Sequence, residues 1–313
     1  MMTNVQKKEI LQLIEDEKKR LDSYRAVAKK CNISEATISQ LRSKSYQAEG
    51  DEIYYKIGEA LGYDFDDNTW KIATDITDFR IIQEVLNDAK HESMFIGVSD
   101  NAGCGKTATS NTYLNWYKKQ GVFKLNCKGW AGRIFLTNLA IEIGAELPKG
   151  YASVNDLIEC IADATRRMAH LKPLYIIDQA NSLRSSAICS LIHLFNECED
   201  ILGLVMFGTE NLEKEIKRGV KLQKKGYDEL DSRFGRKYIR TFGTTLADCR
   251  KICDVNGVSD KTLQEEIFMA AEPIKHTITE GEMAGKSVLI IKDKRRLKRI
   301  IKRERLKLNK HAY

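Results

Sequence analysis

The sequence Ser99-Asp100-Asn101-Ala102-Gly103-Cys104-Gly105-Lys106-Thr107 is the best indicator of how this chain folds. It follows an apolar run over residues 94–98, which predicts a buried parallel strand, and precedes residues 108–117, which predict a helix. A strand, a glycine-rich turn that ends in Gly-Lys-Thr and a helix together form a phosphate-binding loop. Its backbone N–H groups point at an anion from the positive end of the helix, so the main chain can hold most of a triphosphate.

Side chains of this loop have predicted roles in binding ATP and Mg²⁺. We expect the Lys106 ammonium to contact the β- and γ-phosphates and the Thr107 hydroxyl to be a ligand of Mg²⁺. The loop departs from the pattern G-x-x-x-x-G-K-[ST] because Asp100 replaces the first glycine. Asp tolerates left-handed backbone, so the turn is preserved, but its charge is unfavourable near phosphates. The predicted nucleotide-binding residues of the loop are Asn101, Ala102, Gly103, Cys104, Gly105, Lys106, Thr107 and Ala108.

The composition of the whole chain predicts a helix-rich α/β protein of roughly two domains. The chain has 313 residues, of which 42% are hydrophobic, 30% are charged and three are proline. Its net charge of +7 suggests a polyanionic partner. The eight cysteines include no C-x-x-C pair, which argues against a disulfide or metal framework. With no apolar leader at its N-terminus and no bilayer-length apolar run, the protein is predicted to be cytoplasmic.

Strands and helices are predicted to alternate regularly after the loop. The predicted strands cover residues 122–127, 174–178 and 201–208, and the predicted helices cover residues 133–143, 154–171 and 185–198. This alternation favours a parallel sheet with helices on both faces. Ligands bind such sheets at the carboxyl ends of the strands, so we expect the polar residues there to form the site.

Polar residues end two of these strands. Asp178 follows four apolar residues, and we expect it to order Mg²⁺ together with Thr107 rather than merely to cap the next helix. The next residue, Gln179, stands where ATPases of this layout place a general-base glutamate. A glutamine orients water but accepts no proton, so hydrolysis should fall by roughly 10²–10⁴-fold. Either the protein is a slow, switch-like ATPase or Gln179 is a substitution that traps the ATP-bound state, and we favour the second.

The strand at 201–208 is followed by a candidate sensor of the γ-phosphate. Thr209 is the first choice and Asn211 the second, because both follow the strand at its carboxyl end. The alternative interpretation is that Thr209 is simply the N-cap of the next helix.

Residues 1–62 are predicted to form a small helical domain, which is followed by an Asp-rich linker over residues 63–77. Residues 23–41 resemble a helix-turn-helix of the phage-repressor type: Ala28 is small where two helices cross, Asn32 suits a left-handed turn and Ser34 suits an N-cap. Thr37 and Gln40 are the predicted DNA contacts on a recognition face that continues to Arg42 and Lys44. A plain helical hairpin or a protein-docking domain is the alternative.

The predicted ATPase core covers residues 78–246, and residues 247–313 are predicted to form a helical lid. Within the lid, residues 274–279 and 286–291 flank a glycine-containing turn, which predicts a β-hairpin arm. Residues 292–310 contain eleven Lys and Arg but only two acidic residues, Asp293 and Glu304. Leu297, Ile300 and Ile301 lie among them, so this segment predicts a docked helix with a basic outer face that could neutralise DNA phosphates. A merely solvated face is the alternative.

Taken in order, these motifs resemble the AAA+ transposition ATPases typified by MuB of bacteriophage Mu, with the relatives TnsC and TniB. The resemblance covers most of the chain. It rests on the helix-turn-helix, Gly103-Cys104-Gly105-Lys106-Thr107, Ile176-Ile177-Asp178-Gln179-Ala180, the strand that ends at Gly208, Ser232-Arg233 and the basic C-terminus. It departs at Asp100, at Gln179 and in the long segment 274–291.

The resemblance implies an AAA+ fold, ATP and Mg²⁺ as cofactors, filaments on double-stranded DNA and delivery of target DNA to a transposase in a bacterial cytoplasm. It also implies that Arg233, with Arg236 as second choice, reaches the nucleotide of the next subunit, and that Arg296 is a lid arginine on the nucleotide. The loops after the second and third strands would grip DNA, which makes Lys128, Trp130, Arg133 and Arg184 candidates. A repressor-like regulator and a helicase-loader ATPase are the alternative functions.

Overall fold

The structure is a computed structural model, which describes residues 2, 4–21, 23–43, 51–61, 63, 70–117, 119–278 and 284–311. The chain divides into two units, Met1–Trp70 and Lys71–Tyr313. The predicted domain limits within and between these units stay predictions.

The first unit is helical in its described residues. Its helices pack around a small apolar core that includes Ile14, Val27 and Ile38, because each helix carries apolar residues at helical spacing. The helices are α1 (Asn4–Leu21), α2 (Tyr24–Lys30), α3 (Glu35–Arg42) and α4 (Glu52–Leu61).

The turn between α2 and α3 has the geometry that its sequence predicts. Asn32 takes the left-handed conformation at φ 49°, and the Ser34 hydroxyl accepts a hydrogen bond from the N–H of Thr37 at 3.0 Å. Ala28 is buried, so α3 can approach α2 closely. Lys44, the last residue of the predicted recognition face, lies outside the described residues.

The second unit is built on a parallel sheet, which in the described residues has five strands in the order β2-β3-β4-β1-β5. The strands are β1 (Phe95–Ser99), β2 (Val122–Asn126), β3 (Leu174–Asp178), β4 (Gly203–Gly208) and β5 (Tyr238–Ile239). The helices that alternate with them are α5 (Thr77–His91), α6 (Lys106–Tyr117), α7 (Gly132–Glu142), α8 (Val154–Arg167), α9 (Ser185–Cys198), α10 (Glu210–Lys221) and α11 (Tyr227–Arg233).

Helices cover both faces of this sheet, which confirms the predicted fold class. Successive residues of β3 face opposite sides: Tyr175 and Ile177 pack among residues of α7, α8 and α9, whereas Leu174 and Ile176 pack with α5 and α6. A strand buried on both sides is apolar throughout, and for that reason its sequence predicts it well. The predicted helix at 154–171 ends at Arg167 and continues as a short 3-10 turn, and the strand predicted from residue 201 begins at Gly203.

The C-terminal part adds helices and the predicted hairpin. Its elements are α12 (Leu246–Val255), α13 (Lys261–Ala270), β6 (Ile274–Thr277), β7 (Ser287–Ile290) and α14 (Lys294–His311). Strands β6 and β7 pair antiparallel, while residues 279–283 between them lie outside the described residues. Leu297 and Ile301 are buried, so α14 docks through its apolar side and keeps basic residues such as Lys302 and Arg303 exposed.

Candidate nucleotide-binding site

The loop between β1 and α6 has the backbone of a phosphate cradle. Gly103 and Gly105 take positive φ angles of 88° and 105°, which residues with a side chain rarely adopt. Helix α6 begins at Lys106, two residues earlier than predicted, so the positive end of the helix lies directly at the loop. Lys106 Nζ donates to the carbonyl oxygens of Asp100 at 2.8 Å and Asn101 at 2.9 Å, which holds its ammonium across the loop.

Asp100 is an anchor of this loop rather than a charge directed at phosphates. It is 3% exposed. One carboxylate oxygen accepts hydrogen bonds from the backbone N–H and the hydroxyl of Thr241, and the other accepts the N–H of Asn101 at 2.7 Å. A carboxylate with several donors is satisfied where it lies. The hydrogen bonds from the segment after β5 therefore explain how the fold accommodates this charge in a phosphate-binding loop.

Asp178 ends β3 at the carboxyl edge of the sheet and is 2% exposed. Its Oδ1 accepts the N–H of Gln179 at 2.9 Å. Its Oδ2 lies 3.0 Å from Lys124 Nζ as an ion pair, yet among the described residues no donor is aligned to make a hydrogen bond to it. A buried carboxylate oxygen of this kind, which is ion-paired but has no aligned hydrogen-bond donor, remains chemically suited to Mg²⁺, which prefers oxygen ligands and bound waters. The residues present therefore fit the metal, with Thr107 and Asp178 as the side chains to hold it.

Lys124 is a residue of this site that the sequence reasoning missed. It lies on β2, and its side chain is 2% exposed. Its Nζ donates to Ser110 Oγ at 2.7 Å and to Asn111 Oδ1 at 2.6 Å, both on α6. Burial lowers the pKa of this lysine, and the neighbouring Asp178 opposes that shift. A lysine among the apolar residues Val122, Phe123 and Leu125 of β2 was the signal that could have revealed it.

The residues after β3 and β4 meet through a hydrogen bond between a side chain and the backbone. The Asn181 side-chain oxygen accepts the N–H of Thr209 at 3.0 Å. Thr209 occupies the N-cap position of α10, but its hydroxyl makes no capping hydrogen bond and, within the described part of the chain, has no partner although it is buried. Gln179 is exposed and left-handed at φ 59°. An unpartnered buried hydroxyl is unusual in a native fold and favours a ligand role over a simple cap.

The lid contacts the phosphate loop through Lys294. Its backbone N–H donates to the Gly103 carbonyl at 3.0 Å, and its Nζ donates to the Cys104 carbonyl at 2.8 Å and pairs with Asp78. Arg296, the predicted lid arginine, instead pairs with Glu272 and donates to the Ala270 carbonyl. In the structure, therefore, the lid residue that contacts the phosphate loop is Lys294, two positions before Arg296.

The two arginines predicted to act on a neighbouring subunit lie at the end of α11 and just after it. Arg233 donates to Asn196 Oδ1 at 2.9 Å and stacks 4.3 Å from the centre of the Phe195 ring. Arg236 pairs with Asp228 at 2.8 Å. Arg233 thus lies against α9 of its own subunit, and its role toward another subunit stays a prediction.

The predicted DNA loops after β2 and β3 lie side by side. The Trp130 carbonyl accepts the N–H of Arg184 at 2.9 Å, and Ser186 Oγ accepts the N–H of Gly132 at 3.1 Å. Lys128 and Arg184 are exposed. Arg133 stacks 4.0 Å from the ring centre of Tyr151, and Trp130 packs partly against the core of its own subunit.

The other two predicted DNA contacts belong to the first unit. Gln40 is exposed on α3, whereas the Thr37 hydroxyl is hydrogen-bonded to Ser34 Oγ at 2.8 Å. Among the described helices, none combines the length and apolarity that crossing a membrane requires.

Comparisons with known proteins gave one family match and similarities to solved structures. Residues 90–216 match the family model described as AAA domain. A search of curated proteins gave no match. Among solved structures, Cdc6p from Pyrobaculum aerophilum is similar with a TM-score of 0.45 and 13% identity, over 65% of this chain and 56% of that chain. The ORC2 protein of Aeropyrum pernix, solved as ADPNP-ADP complexes, is similar with a TM-score of 0.43 and 12% identity, over 63% of this chain and 55% of that one.

The matches thus span little more than half of each of those two solved chains. The family match covers the loop with Lys106, the carboxylate of Asp178 and the strand that leads to Thr209. Residues 90–216 of this chain are therefore similar to the AAA domain, and they lie on a parallel sheet with a phosphate-binding loop.

Proposed function

We propose that this protein is an ATP-dependent, largely sequence-nonspecific DNA-binding ATPase that assembles on target DNA and delivers it to a transposase. ATP and Mg²⁺ bind between Lys106, Thr107 and Asp178, and the protein works in a bacterial cytoplasm as part of a phage or mobile element. The proposal rests on the resemblance to the transposition ATPases and on one relationship at the edge of the sheet.

That relationship is the shared position of the magnesium carboxylate and the basic loops. Asn126 and Asp178 are register partners at the carboxyl ends of β2 and β3, and the Cys127 N–H donates to the Asp178 carbonyl at 2.8 Å. The loops that carry Lys128 and Arg184 begin within a few residues of these ends. Asp178, which would respond to a change of nucleotide, therefore lies only a few residues along the backbone from the groups that would contact DNA phosphates.

The same geometry supports an assembly switch. ATP held by the loop of one subunit would be contacted by Arg233 of the next, because an arginine supplied by a neighbour stabilises phosphate charge. Assembly would then repeat the loops of Lys128 and Arg184 along the duplex. Contacts made to phosphates rather than bases suit a protein that accepts many target sequences.

A filter-retention experiment tests the proposal. Wild-type protein should retain random-sequence duplex DNA with ATP and Mg²⁺ and lose it without them, and Lys106→Ala should abolish retention. Lys128→Ala and Arg184→Ala should each reduce the slope of log affinity against log salt by about one unit. Lys119→Ala is the matched control, because that exposed lysine precedes β2 at the opposite edge of the sheet. Equal retention without nucleotide would contradict the proposal.

A repressor-like regulator is the second candidate, favoured by the turn between α2 and α3. The left-handed Asn32 and the Ser34 cap give these helices the sharp turn that a helix-turn-helix needs. In that case Gln40 and its neighbours would read bases and the ATPase domain would only set the oligomeric state. Binding confined to one operator sequence, and lost in Gln40→Ala, supports this candidate against the first. A helicase-loader role is distinguished by a helicase, rather than a transposase, as the partner.

A further inference from the structure

A buried lysine lies against the carboxylate that would order Mg²⁺. Lys124 Nζ is 3.0 Å from Asp178 Oδ2, the carboxylate oxygen for which no hydrogen-bond donor is aligned. The same ammonium reaches α6, where it donates to Ser110 Oγ and Asn111 Oδ1 and lies 3.4 Å from the Thr107 carbonyl. Lys124 therefore joins the helix of the phosphate loop to the end of β3.

The partners of Lys124 differ from those of a lysine that is buried for structural reasons. Lys90 is a second buried lysine in the described unit, and its Nζ donates to the carbonyl oxygens of Gln120, Leu171 and Lys172 at 2.6–2.8 Å. Backbone carbonyls satisfy that ammonium without involving another ionised group. Lys124, by contrast, shares its carboxylate with the place where a divalent cation would be held.

Charge then decides how metal and lysine interact. A buried carboxylate is expensive to leave unpaired, and an ammonium at this distance offsets part of that cost. A cation that approaches the same carboxylate gains less attraction, because the negative charge is already neutralised, and it is repelled by the ammonium in a medium of low dielectric constant.

We propose that Lys124 is a built-in cation of the nucleotide site, which neutralises Asp178 and thereby weakens the binding of Mg²⁺ to the ATP-bound protein. The inference rests on the proposed binding of ATP to this loop. Its consequence is a protein that needs a higher Mg²⁺ concentration to complete its site than the same fold with an apolar residue at this position.

The test is a Mg²⁺ titration of nucleotide binding. A fluorescent ATP analogue is mixed with full-length protein in chelator, Mg²⁺ is added, and the midpoint concentration of the metal-dependent fluorescence change is recorded. Lys124→Met keeps the length of the side chain and removes its charge, and it should lower the midpoint by about tenfold or more. Lys124→Gln, which keeps a hydrogen-bonding group for Ser110 and Asn111, should shift the midpoint in the same direction and serves as the readout if the methionine variant does not fold.

Lys90→Met is the matched control, since it removes a buried lysine outside the site and should leave the midpoint unchanged. An unchanged or higher midpoint in the folded Lys124 variants overturns the inference while the proposed function stands. Wild-type protein that binds no analogue at any Mg²⁺ concentration overturns the proposed function and the inference with it.

Discussion

Thr241 donates both its backbone N–H and its hydroxyl to one carboxylate oxygen of Asp100, the residue that replaces the first glycine of the phosphate loop. The two residues are 141 positions apart in the chain, and both are buried. Their contact fastens the start of the loop to the segment that follows β5. An aspartate at this position is therefore compatible with the fold, because Thr241, from a distant part of the chain, donates hydrogen bonds to its carboxylate.

Thr241→Val should destabilise the second unit by about 1.5–3 kcal/mol, the usual contribution of a hydrogen bond to a charged group. The valine removes the hydroxyl and leaves the carboxylate with one donor fewer. Urea denaturation measures the change, and Thr241→Ser, which keeps the hydroxyl, should remain close to wild type. Equal stability of the valine and serine variants would show that the hydroxyl contributes nothing.

Replacing Thr209 should affect the stability of the protein and its rate of ATP hydrolysis differently. Its buried hydroxyl has no partner among the described residues, so Thr209→Val should leave the free energy of unfolding unchanged or raise it by about 1 kcal/mol. If the hydroxyl contacts the γ-phosphate, the same variant should hydrolyse ATP more slowly. Thermal unfolding and phosphate release measure the two effects, and Thr209→Ser should preserve activity. A clear loss of stability in the valine variant would indicate a structural hydroxyl instead.

Gln179→Glu should raise the rate of ATP hydrolysis by roughly 10²–10⁴-fold, because a carboxylate accepts the proton of the attacking water. The exposed side chain of Gln179 leaves room for the change, and its backbone N–H continues to bond Asp178. Phosphate release in the presence of DNA gives the rate. Gln179→Ala is the control and should show no gain; an unchanged rate in the glutamate variant removes this position from the mechanism.

Lys294 and Arg296 form a matched pair for the lid. Lys294→Met removes the ammonium that bonds the Cys104 carbonyl and pairs with Asp78, so it should destabilise the protein by about 1–3 kcal/mol and speed the release of nucleotide. Arg296→Met removes an exposed pair with Glu272 and should have little effect on stability.

Stopped-flow release of a fluorescent ATP analogue compares the two lid variants. Faster release from the Arg296 variant alone would restore the arginine as the lid residue on the nucleotide.

The loop and the strands of the second unit could be predicted because their signals are local. The glycines at 103 and 105, the apolar residues of β3 and the carboxylate at its end act on neighbours in sequence, so they predicted a P-loop sheet whose fold class is confirmed. The turn with Asn32 and Ser34 was predictable for the same reason, since caps and left-handed positions depend on a few adjacent residues.

The partners of the buried charges could not be predicted in this way. Asp100 meets Thr241, Lys124 meets Asp178, and Lys294 rather than Arg296 meets the loop, in each case because the packing of distant segments sets the distance between the two groups. Lys294, which contacts the loop, and Arg296, which pairs with Glu272, are two positions apart in α14, roughly half a turn of the helix, and the composition of the segment does not predict which of them faces the loop. Local chemistry thus determined the elements and the residues of the candidate site, while the folded chain determined which charged groups lie next to one another there.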